Sequence, residues 1–168
     1  MAGGSPRPAA LQWPHYLMPT PYESAQLNLK LFELRRDPVL RQARDWFLFE
    51  FNPQTFTEFS ALAMGEHNSF FRMVIGYWDM ACSLVTSGAI DADAFRAAHG
   101  EIIGAYSKLY PFLAELRASR GETTICKHME AVVMGAPDAE KVLARRREVL
   151  RLAGERRAAS RATARAAG

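Results

Sequence analysis

Between Gly65 and Arg117 apolar positions recur three and four residues apart, with one interruption. Phe71, Val74, Ile75, Trp78, Cys82 and Val85 fall on one face of a helix. Phe70, Met73, Tyr77, Met80, Ala81 and Leu84 widen that face on both sides. Only Ser69, Arg72, Asp79 and Ser83, with Gly76 between, remain as a narrow polar strip. A helix this apolar belongs at the centre of its domain. Phe95, Ala98, Ile102, Tyr106, Leu109, Leu113 and Leu116 form a second stripe. Pro111 lacks a backbone donor and disfavours helical geometry before it, so a kink or restart is predicted at Tyr110–Pro111. The joint between the stripes is over-specified. Gly88 suits the left-handed residue past a helix end, and Asp91 suits an N-cap. Asp93 adds negative charge to the first turn, and Ile90 and Phe95 have the spacing of a hydrophobic staple.

Shorter elements flank this pair. A helix is predicted to start near Tyr22–Ser24, with Leu27, Leu31 and Leu34 on one face. Asp37–Pro38 reads as N-cap and first position of the next, which carries Val39, Leu40, Ala43, Trp46, Phe47 and Phe51. Asn52–Pro53 repeats the start signal before Phe56, Phe59 and Leu62. After a turn at Arg120–Gly121, Thr123 or Thr124 is the expected cap of a short helix bearing Ile125, Met129, Val132 and Val133. Asp138 is the expected cap of the last helix, whose apolar residues stop at Leu152. No stretch alternates with period two inside turn signals. The expected fold is all-α: a bundle of five to seven helices with two long central antiparallel helices and no sheet.

The expected domain plan has three parts. Residues 1–21 hold five of the nine prolines and read as an extended or disordered arm, with Trp13, Tyr16 and Leu17 able to dock on the body. Residues 22–153 form a single helical domain. Residues 154–168 form a basic, frayed tail. No apolar run approaches the roughly 20 residues that span a bilayer, and the first residues lack a signal-peptide core. Cys82 and Cys126 lie far apart on predicted helices and read as buried free thiols. A cytoplasmic setting is expected. The net charge of +3 hides an asymmetry: residues 141–168 carry nine Lys/Arg against Glu148 and Glu155, whereas the rest is mildly acidic.

Three segments carry a resemblance: RQARDWFLFEFNP (41–53), SLVTSGAIDADAF (83–95) and YSKLYPFLAELRASRGE (106–122). Val85, Gly88, Ile90, Asp91 and Asp93 form a helix joint, and Tyr106, Leu109, Pro111, Phe112 and Arg117 a second motif. The pattern resembles an uncharacterised bacterial all-helical family, a domain of unknown function, over about residues 38–135. Tyr106 stands where that family carries tryptophan, and the last short helix lacks the family's aromatic residue. The resemblance implies an all-α fold and no activity.

Candidate chemistry is sparse. Cys126 and His128 are two residues apart and face opposite sides of a helix, so they do not suit one metal. A nucleophile pair of Cys82 or Cys126 with His99 or His128 needs an electropositive, partly exposed thiol, and Cys82 has the opposite setting on an apolar face. His67 and His99, with Glu66 and Glu101 nearby, have the setting of helix ends or surface more than of a ligand set. No Walker, Rossmann or nucleophile-elbow pattern occurs. No catalytic residue, metal or cofactor is therefore expected, and the chain reads as a non-enzymatic helical scaffold or interaction module, with a protein partner or self-association as a homodimer. Two alternatives stand beside that reading. Arg145, Arg146, Arg147, Arg151, Arg156, Arg157, Arg161 and Arg165 form an anion-binding tail that could hold nucleic acid through phosphate charge, without an interleaved aromatic residue for stacking. Arg72, Trp78, Asp79 and Ser83 could line a small polar pocket, because charge on a buried helix needs partners.

Overall fold

A computed structural model of the chain describes residues 19–166. In chain order the helices are α1 (Pro21–Leu34), α2 (Pro38–Phe49), α3 (Phe56–Met64), α4 (Asn68–Thr86), α5 (Ala92–Ala98) and α6 (Glu101–Leu109). A 3-10 turn (Tyr110–Phe112) leads to α7 (Leu113–Arg120), α8 (Lys127–Met134) and α9 (Ala139–Ala166). The fold is all-α, with no strand among the described residues. The expected arm lies outside the described residues except for its last three, and Pro21 already opens α1.

The caps explain most of the boundaries. Asp37 accepts from the Leu40 amide at 2.8 Å and Asp91 from the Ala94 amide at 2.8 Å, as the sequence predicts. Gly88 takes φ +79°, and Ile90 and Phe95 are both buried. Other caps differ from expectation. α1 starts earlier, on a capping box in which Thr20 accepts from the Glu23 amide and the Glu23 carboxylate accepts from the Thr20 amide at 2.8 Å. α3 starts after Thr55, which accepts from the Glu58 amide, and not at Asn52–Pro53. α8 is capped by neither Thr123 nor Thr124; its N-cap position is Cys126, in the left-handed region at φ +56°.

α4 sits between α2 and α8, and α9 closes over α6 and α2. The second long stripe is divided. α5 ends at His99, where ψ +44° breaks the helix and the imidazole turns inward, α6 restarts after Gly100, and the Pro111 turn separates α7. The core is strongly aromatic. Phe47 stacks on Phe51 at 5.0 Å, and Phe59 meets Phe51 at 5.6 Å, Phe71 at 5.7 Å and Phe112 at 5.0 Å. Such pairs contribute about 0.5–1.5 kcal/mol each beyond area burial.

Two glycines set helix spacing. A methyl group on Gly104 of α6 would press on Leu150 of α9 and Leu48 of α2, at 3.2 and 3.3 Å. A methyl group on Gly154 of α9 would be built into the Phe49 carbonyl oxygen. α9 itself continues past residue 153 to Ala166, and at Gly154 it touches the end of α2. Lys108 is buried in the same region, donating to the Phe51 carbonyl at 2.6 Å. Loss of hydration, with a smaller effect from Arg147, holds its ammonium pKa down at about 8.

Two stability outcomes follow from this packing. Gly154→Ala should destabilise by about 1–3 kcal/mol in urea unfolding, from overpacking, although helix propensity alone favours alanine by about 1 kcal/mol. For Lys108 the folded pKa lies below the unfolded value of 10.5, so the unfolded chain binds more protons between about 8 and 10.5. Stability of the wild type relative to Lys108→Met should rise with pH across that window, by at most about 1.4 kcal/mol per unit. Paired denaturation curves at pH 7.5 and 9.5 measure the difference.

Candidate functional site

α1 uses only one side to join the body. Ser24 and Leu31 are buried, Leu27 and Asn28 half-buried, and the Tyr77 hydroxyl donates to the Leu31 carbonyl at 2.8 Å. Leu34, expected on this face, is exposed. The opposite side is also apolar. Tyr22, Ala25, Leu29 and Phe32 recur at helical spacing, and Tyr22, Leu29 and Phe32 are 73, 58 and 53 % exposed. Part of this stripe, with Pro19 and Pro21, forms one wall of an open groove of about 750 Å³. Asp91, Ala94 and Ala98 of α5 and its N-cap form the other wall, and Ser24, Asn28 and His99 lie at the floor.

A chain of polar contacts fixes that floor. The Asp91 amide donates to Ser24 Oγ at 3.1 Å, and Asn28 Nδ2 donates to the Ser24 carbonyl at 3.1 Å. His99 Nε2 lies 3.0 Å from Asn28 Oδ1, and His99 Nδ1 lies 3.5 Å from an Arg35 guanidinium nitrogen. These neighbours suit a neutral imidazole that donates from Nε2 and accepts at Nδ1. Burial, then the nearby Arg35 charge, pushes the His99 pKa down. Arg35 packs over Trp78 at 5.4 Å and Phe32 at 5.9 Å, and pairs with Glu101 at 3.5 Å. Arg44 grips the same carboxylate with Nε, at 2.6 Å, and Nη2. The groove thus presents apolar walls over polar groups already engaged with one another.

The expected polar pocket is dispersed. Trp78 is fully buried, and its Nε1 has no partner among the described residues. Arg72 is exposed, and Ser83 donates to the Met80 carbonyl at 2.6 Å. Asp79 instead caps a helix from outside: Oδ1 accepts from the His128 and Met129 amides at 3.1 and 3.0 Å. That supplies the cap that Cys126 does not give α8. Arg117 holds the preceding loop, donating to the Ile125 carbonyl at 2.8 Å and pairing with Glu130 at 2.8 Å. Both cysteines are buried and free. Desolvation, then the Asp79 charge, pushes the Cys126 thiol up to about 12 and raises Cys82 as well. His67 stacks on Trp46 at 5.0 Å, whereas His99 packs on Phe95 at 4.7 Å.

The α9 arginines divide evenly. Arg147 donates to the Pro53 carbonyl and lies over Phe112, and Arg151 pairs with Glu148 and Glu155. Arg157 pairs with Asp45 at 2.6 Å and lies 3.8 Å from the Phe49 ring centre, and Arg161 pairs with Glu50 at 2.7 Å. Arg145, Arg146, Arg156 and Arg165 have neither a salt bridge nor a side-chain hydrogen bond among the described residues.

A family model described as a domain of unknown function, DUF4760, matches residues 22–135. The chain belongs to this family. The DUF4760 match takes in the groove apart from Pro19 and Pro21, the Glu101 network and the Asp79 cap, and it ends before α9. No curated protein and no solved structure matches the chain.

The groove was within reach of sequence reading. Tyr22, Ala25, Leu29 and Phe32 have regular helical spacing, beside the Leu27, Leu31 and Leu34 stripe on the same helix. For Asp79 the geometry gives a sharp expectation. Asp79→Ala should cost about 1–2 kcal/mol of unfolding free energy by losing the cap, and Asp79→Asn, which keeps an acceptor oxygen, far less. Chemical denaturation of the two variants distinguishes a cap from a charge-dependent role, in which both would lose equally.

Proposed function

We propose that this domain is a non-enzymatic helical interaction module, and that its docking surface is the α1–α5 groove. The observation that carries the reading is the second apolar stripe of α1, exposed on a helix whose other face is already anchored. Exposed apolar surface rimmed by polar residues is a feature of interaction sites. An apolar peptide segment suits the groove better than a polar small molecule, since the polar groups at its floor have partners. Self-association as a homodimer through the same stripe is one form of this reading.

Electrostatic binding of nucleic acid along α9 is the alternative. It is supported by Arg145, Arg146, Arg156 and Arg165, which have neither a salt bridge nor a side-chain hydrogen bond among the described residues. The other four are held by Asp45, Glu50, Glu148, Glu155 and the Pro53 carbonyl, which leaves few cations for phosphate. Fewer phosphate contacts mean weaker binding and a shallower salt dependence.

Leu29→Glu places a charge on the groove wall at an exposed position, so the fold should survive. Quantitative capture from cell extract should show one or more proteins retained by the wild type and reduced about tenfold or more by the variant. Identical capture profiles, with both proteins folded by circular dichroism, would overturn the docking surface.

A further inference from the structure

We propose that residues 11–18, LQWPHYLM, dock in the α1–α5 groove of their own chain. The proposal rests on reading that groove as a surface for an apolar segment, and it names the segment. Attachment comes first. Pro19, the residue that follows this segment, is itself part of the groove wall, and extended Thr20 then leads into α1. The segment is therefore tethered at the mouth of the site, which makes its docking an intramolecular event.

Composition agrees with the walls. Leu11, Trp13, Tyr16, Leu17 and Met18 supply five large apolar or aromatic side chains in eight residues. The segment has no Asp, Glu, Lys or Arg, so docking desolvates no fixed charge. Pro14 and Pro19 restrict the backbone toward extended forms, which lowers the entropy lost on ordering.

Length also fits. From Pro21 to Phe32, α1 rises by roughly 17 Å at about 1.5 Å per residue. Trp13 lies six residues before Pro19 and reaches roughly 20 Å in extended chain at about 3.3 Å per residue. A strand turning back at Pro19 therefore brings Trp13 level with Leu29 and Phe32. A competing partner must displace this segment, so its affinity is set against the tether.

The test uses the full chain with a photoreactive residue, Trp13→p-benzoylphenylalanine. After irradiation, mass spectrometry should map cross-links to α1 near Ala25–Phe32 or to α5 near Ala94–Ala98, within one chain and at a yield independent of protein concentration. Leu29→Glu and Ala94→Glu, both at exposed wall positions, should each lower that yield about tenfold, the scale of losing one well-buried apolar contact. Cross-links that map elsewhere, that join two chains, or that persist in both variants would overturn the proposal. Loss of the Trp13 cross-link pattern with capture still sensitive to Leu29→Glu would sink self-docking and leave the interaction surface standing. The expected cross-links with capture insensitive to Leu29→Glu would uphold self-docking and sink the interaction reading.

Discussion

Glu101 is the constraint on which the arrangement of α1, α2 and α6 depends. Its carboxylate takes two hydrogen bonds from Arg44 and a third contact from Arg35. Arg44 in turn donates to the Arg35 carbonyl at 3.1 Å, so one acid fixes the α1–α2 turn against the start of α6. The pair is mostly shielded from water, with side-chain exposures of 15 and 18 % for Arg44 and Glu101. Charges in that setting are tolerated only as a set, because removing one partner leaves the others unpaired at a cost of about 3–5 kcal/mol. The break at His99–Gly100 has its physical reason here. A continuous helix from Asp91 to Leu109 would not turn His99 inward toward Asn28 and Arg35 while Glu101 faces the two arginines.

α9 shows how a segment outside the family match becomes part of the same body. Leu143 and Leu150 are buried, Gly104 and Gly154 permit close approach, and Arg157 and Arg161 bridge to acids at the end of α2. Exposed bridges of this kind contribute little singly, about 0–1 kcal/mol. The close backbone approach at Gly154 and the Arg157–Phe49 contact add packing to charge. Positive charge that reads as a separate tail in the sequence is thus partly the counter-charge of Asp45 and Glu50.

The helical core was legible because its signals are local and periodic. Gly88, Ile90, Asp91 and Phe95 lie within eight residues and agree, and Trp78 and Cys82 fall on the buried face as their spacing requires. What escaped is non-local. Asp79 lies 49 residues from the His128 amide that it caps, and no pattern around either residue marks the pair. Glu101 lies 57 residues from Arg44. The Thr20–Glu23 capping box is the exception, a local signal that could have fixed the start of α1. The candidate pocket around Arg72 and Asp79 rested on the rule that buried charge needs a partner. The rule held for Asp79, but the partners are backbone amides of another helix.

The outer stripe of α1 stays open because of how the helix is held. A helix of 14 residues is marginal in isolation, so its order must come from the capping box, Leu31, the Tyr77 hydroxyl and the Arg35 network. These lie at its start, on its inner face and at its C-cap, Arg35. A segment docking on the outer stripe would therefore add burial on a face where the Arg35 guanidinium already packs over Phe32. The two faces still communicate through the floor, because Asn28 and His99 belong to both the groove and the Arg35–Glu101 network. A proton added at His99 Nδ1 would place an N–H against the Arg35 guanidinium. The contribution of this contact is thus present above the ordinary histidine pKa of about 6.5 and is lost as pH falls. The join between α1 and α5 is consequently held by a neutral imidazole. An occupant that spanned both walls of the groove would add to that join.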